Sequence, residues 1–89
     1  MISVIRFVEV ENRVVSATYR NLMIKAKVVL VDKTSGTQLP DPVTTIASPV
    51  PAGSLRIRLS QEVRPGTYFL VAFNGHGSYL AKSAEFEVR

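Results

Sequence analysis

Eighty-nine residues can bury one hydrophobic core but not two, because domains cluster at roughly 100 to 150 residues, so the chain reads as a single domain over residues 1–89. With 46% apolar residues, 20% charged residues and no cysteine, the composition excludes both a disordered chain and a disulfide framework. Eleven Lys and Arg against seven Asp and Glu give +4, which favours approach to polyanions, but the basic residues are dispersed from Arg6 to Arg89 with no run of three, unlike a nucleic-acid module.

The segment Met1–Val10 lacks the basic start and apolar core of a secretory signal. No window reaches the ~18 apolar residues of a membrane span, so the expectation is a soluble chain without membrane insertion. Ile2–Val10, Arg13–Tyr19 and Leu22–Val31 each read as a strand, bounded by Glu11-Asn12, Arg20-Asn21 and the polar stretch Asp32–Thr37. Leu22–Val31 comes nearest to a helix, but its Val-Val-Leu-Val end favours a strand. Between Gln38 and Gly53 lie prolines 40, 42, 49 and 51, which leaves room for a short edge strand at most, over Thr44–Ala47.

Ser54–Ser60 alternates apolar and polar residues without exception, the period of a strand with one buried face. Pro65-Gly66 is a turn pair, since proline presets φ and glycine accepts positive φ. Thr67–Phe73 follows, apolar on both faces as in a central strand. Asn74–Ser78 is a loop, and Tyr79–Val88 a last strand with Leu80, Ala84, Phe86 and Val88 on one face and Tyr79, Glu85 and Glu87 on the other. The expected core includes Leu55, Ile57, Leu59, Leu70, Phe86 and Val88. No internal repeat is present.

Short strands at about 8- to 12-residue spacing, joined by Gly and Pro turns, suggest an all-β fold: one immunoglobulin-like antiparallel sandwich of about seven strands. Pro65-Gly66-Thr67-Tyr68 resembles the entry to the sixth strand of immunoglobulin-like and fibronectin-like domains, where the resemblance implies a tyrosine that ties down the preceding corner. Pro65-Gly66, Tyr68, Leu70, Asn74, Gly77 and Ala81 also resemble the C-terminal immunoglobulin-like domain of galactose oxidase-type proteins. In that family an early loop supplies a histidine copper ligand. The corresponding stretch, Asp32–Val43, has no histidine, so copper chemistry does not carry over.

Catalytic chemistry finds few candidates. The single histidine, His76, sits between two glycines in a predicted hairpin loop and reads as solvated. With no cysteine and one histidine, a zinc centre lacks its ligands. Asp32, Asp41 and Glu62 could neighbour one another at one end of a sandwich, but solvated loop carboxylates are the default reading. Gly75-His76-Gly77 lacks the lysine and following helix of a phosphate loop. The expectation is a non-enzymatic chain without a cofactor or metal.

Two surface features remain. Arg56 and Arg58 share the polar face of one strand, Lys25 and Lys27 that of another, and the two pairs are expected in opposite sheets as small basic patches. They would give weak, non-specific binding to polyanions. Phe69, Val71 and Phe73 alternate with Tyr68, Leu70 and Ala72, more apolar surface than one core needs, so they form a candidate interface with a protein partner or a second copy. The alternative cover is the Gln38–Gly53 segment folding back. The expected function is a structural or protein-interaction module, such as a virion decoration or tail component or a module of a surface protein. An accessory carbohydrate- or substrate-binding domain of a multidomain enzyme is the alternative.

Overall fold

The computed structural model describes residues 3–22, 25–45, 52–61 and 63–89. Its strands are β1 (Val4–Glu11), β2 (Val14–Arg20), β3 (Lys27–Asp32), β4 (Gln38–Thr45), β5 (Ala52–Arg58), β6 (Gly66–Phe73), β7 (Tyr79–Lys82) and β8 (Phe86–Val88). All pairings are antiparallel. The first sheet runs β1-β2-β5, and the second runs β4-β3-β6-β7 with β8 also on β6. Ile5, Val15 and Leu55 of the first sheet join Val28, Leu30 and Leu70 of the second in one buried cluster, so the sheets stack face to face as a β-sandwich. Among the described residues there is no helix, and none long and apolar enough to cross a membrane.

The six expected core residues are all buried. Strict alternation in Ser54–Ser60 sends Leu55, Ile57 and Leu59 inward and leaves Ser54, Arg56 and Arg58 exposed. Gly53 faces Tyr19 across the β2–β5 ladder, and a Cβ there would lie 2.7 Å from the Tyr19 hydroxyl. The phenol therefore covers a position that only glycine can occupy without displacing it.

In β1 the apolar pattern changes phase. Ile5 points inward with Arg6 outward, whereas further along Val8 and Val10 face the core with Glu9 and Glu11 outward. A regular strand cannot satisfy both halves, because its side-chain period is two. The register shifts between Arg6 and Glu9, so Phe7 and Val8 together oppose Ala17: a β-bulge. Phe7 takes the left-handed conformation, φ 55°, which costs a residue with a Cβ about 1 to 2 kcal/mol.

β1 and β2 are joined by Asn12-Arg13, with φ of 51° and 60°. Positive φ at both central residues is the requirement of the tight hairpin turn whose twist matches the strands. Arg13 is held there by its guanidinium, whose Nη2 donates to the carbonyl oxygens of Ser60 at 2.7 Å and Val63 at 2.9 Å.

Three segments differ from the sequence reading. The strand expected over Leu22–Val31 starts only at Lys27, because Lys25 takes a left-handed turn conformation, φ 70°, that interrupts the ladder. The proline-rich segment forms β4, longer than the expected Thr44–Ala47, of which residues 46 and 47 lie outside the described residues. β4 pairs with β3 on one side only, and its register shifts so that Leu39, Pro40, Asp41 and Pro42 stand opposite Leu30 alone. The missing proline N–H groups thus fall where no ladder needs them.

The final strand is divided. β7 pairs with residues 71–73 of β6 and β8 with residues 66–68. Between them Ser83 stays bonded to β6 by other means: its N–H donates to the Leu70 carbonyl and its Oγ accepts from the Leu70 N–H, each at 2.8 Å. Ser83 is consequently buried and Ala84 exposed, the reverse of the expected inward Ala84.

Candidate functional site

The outer face of the second sheet carries an apolar cluster separate from the main core. Val29 pairs with Val71 and Val31 with Phe69 across β3 and β6, and Val29, Val31 and Val71 are buried, with Phe69 and Phe73 half-buried against them. Phe73 pairs with Lys27 on one side and with Tyr79 on the other, and Tyr79 is 61% exposed. Lys82 Nζ lies over the Phe69 ring, 5.1 Å from its centroid. The candidate interface Phe69, Val71 and Phe73 is therefore one continuous strip, rimmed by Lys27 and Lys82, with Val71 already buried by its neighbours. The described part of the proline-rich segment does not lie over it, because β4 extends the sheet in its own plane beside β3.

Arg56 and Arg58 project from the outer face of the first sheet and Lys27 from that of the second. Lys25 is exposed but lies in the turn before β3, outside the ladder that was to align it with Lys27. The register adds residues that sequence reading missed. Arg6 pairs with Thr18 and Thr18 with Ser54; Val4 pairs with Arg20; Ser16 pairs with Arg56. Arg6, Arg20, Arg56 and Arg58 thereby share one sheet face, with Glu9 and Glu11 on its β1 side. Beside Arg6 the bulge turns Phe7 out to 77% exposure. The phase change in Ile5–Val10 was the available signal for it.

Among the described residues the catalytic and metal candidates do not assemble. His76 is exposed on a loop organised by Asn74, whose Oδ1 accepts from the N–H groups of His76 and Ser78, each at 2.9 Å. Asp32 Oδ1 accepts from the Thr34 N–H at 2.9 Å within its own turn. Of Asp41 only the backbone is described, and Glu62 lies outside the described residues. Among the described residues no three His, Asp or Glu side chains converge as a ligand set, and every buried side-chain polar atom has a hydrogen-bond partner. Compared with protein-family models and with curated proteins, the chain matches none.

Proposed function

We propose that this chain is a non-catalytic interaction module of immunoglobulin-like build that docks a protein partner, a second copy of the chain, on the outer face of its second sheet. The strand order supports the build: β1-β2-β5 against β4-β3-β6-β7 places hairpin-linked and crossing strands as in immunoglobulin-type sandwiches. So does the hydroxyl of Tyr68, which donates to the Arg64 carbonyl at the start of β6, the corner bond of such folds.

The observation that carries the reading is the apolar cluster outside the core. Aromatic residues at an interface centre with lysines at the rim match the anatomy of protein docking surfaces. A specific complex here buries about 800 Å² per partner. The accessory sugar-binding alternative is less well supported, because Tyr19 and Tyr68 are buried and the two exposed rings, Phe7 and Tyr79, lie on different sheets.

Light scattering over a wide concentration range, on the wild type and on Phe73→Lys, tests the reading. The expected outcome is association of the wild type through its apolar face, abolished by Phe73→Lys at unchanged melting temperature. A wild type that stays monomeric at the highest concentration, with Phe73→Lys strongly destabilised, would show that the strip is an internal subsidiary core and would overturn the docking reading.

A further inference from the structure

The other sheet presents a different chemistry, independent of the docking face. The bulge in β1 requires the left-handed φ of 55° at position 7, but packing within the chain does not explain why a phenylalanine occupies it with its ring 77% exposed. A glycine or asparagine at the bulge would relieve the strain and remove the ring. A strained, exposed aromatic persists where something other than folding uses it.

Its surroundings say what. Arg6, Phe7, Thr18, Arg20 and Ser54 line a shallow depression of about 470 Å³ on the β1-β2-β5 sheet, and no acidic residue lines it. Thr18 is anchored by its hydroxyl, which donates to the Arg6 carbonyl at 3.2 Å. Arg56 and Arg58 follow along β5, where Glu9 and Glu11 of β1 share a depression with Arg56. Guanidinium groups for phosphate oxygens, hydroxyls for further phosphate or sugar contacts and a free ring for a base are the complement of a nucleotide.

We infer that this face binds single-stranded nucleic acid, with a base stacked on Phe7 and the adjoining phosphates held by Arg6 and Arg20. An anionic polymer without bases uses the arginines but leaves the ring idle, and a duplex hides its bases from it. The contact is short, because beyond Ser54 the face passes to Glu9 and Glu11, which line a depression with Arg56 and repel phosphate.

Fluorescence anisotropy with a labelled oligothymidylate, competed by heparin, by duplex DNA and by polyglutamate, reads the proposal. Phe7→Ala is expected to weaken oligothymidylate binding about 5- to 100-fold, the range for losing one base stack, while Phe7→Tyr retains it. Arg6→Ala and Arg20→Ala should each lower the slope of log affinity against log salt by about 0.7. Phe7→Gly should melt no lower than the wild type, separating a binding role for the ring from a folding role. Three results overturn the inference: heparin binding as tightly as oligothymidylate with Phe7→Ala affecting neither, preference for polyglutamate, or Phe7→Ala and Phe7→Gly both unfolding the chain.

Discussion

The phenolic hydroxyl of Tyr68 donates a hydrogen bond to the carbonyl oxygen of Arg64, 2.7 Å away and four residues upstream. The bond closes the corner that turns the chain from the Leu59–Val63 region into β6, whose Tyr68 ring is itself buried. Tyr68→Phe keeps the ring and deletes the bond. A loss of about 0.5 to 1.5 kcal/mol is expected from urea titration. An unchanged midpoint would mean that the corner is held by packing alone.

Arg13 combines an unfavourable φ of 60° with two bonds to carbonyls far along the chain, at Ser60 and Val63. Arg13→Ala removes the bonds and keeps the strain, so a loss of about 1 to 3 kcal/mol is expected, chiefly from the Val63 carbonyl, since that of Ser60 still accepts from the Val63 N–H. Arg13→Gly removes the strain as well and should be the less damaging of the pair. Should Arg13→Gly instead prove the worse variant in thermal melts, the conformational argument fails.

Ser83 replaces a strand pairing with its side chain. Its Oγ accepts from the buried Leu70 N–H and donates to the Ala84 carbonyl, both at 2.8 Å. Ser83→Ala leaves that N–H without its acceptor, and a destabilisation of about 1 to 3 kcal/mol follows. Hydrogen exchange gives a local check: the Leu70 amide should lose more protection than the Val29 or Val71 amides, and uniform loss across β6 would point to global destabilisation only.

Gly53 and Tyr19 are coupled by contact. Gly53→Ala places a methyl 2.7 Å from the Tyr19 hydroxyl, and overpacking of a buried ring costs about 1 to 3 kcal/mol. In a Tyr19→Leu background the same methyl has room, so the second substitution should cost less than it does in the wild type. Additive losses in this double-mutant cycle would show that the glycine serves the backbone of β5 and not the ring.

Much of the sandwich is written in local pattern. The alternation of Ser54–Ser60 and the apolar run Thr67–Phe73 identify an inward face and a central strand without reference to anything distant, because side chains in a strand alternate with a period of two. The Tyr68 corner is equally local, although Gly66, expected at positive φ in a turn, is instead the first residue of β6 and does not take that conformation. Patterns of this kind also located the strip Phe69, Val71 and Phe73, since its excess of apolar residues is visible in one segment.

What local pattern could not reach depends on partners distant in sequence. Pro40 and Pro42 are tolerated in β4 because that strand ended up at a sheet edge, with the prolines opposite a single residue of β3. Ser83 is buried and Ala84 exposed because the final strand had to stay bonded to Leu70 where its ladder is interrupted. The same holds for the basic face. Arg6, Arg20, Arg56 and Arg58 are scattered along the chain, and only the register of β1 on β2 and β2 on β5 brings them onto one face, Arg6 and Arg20 beside Phe7. Composition and periodicity determine which residues a strand turns outward; which outward residues become neighbours is decided by strand pairing, a property of the whole sheet.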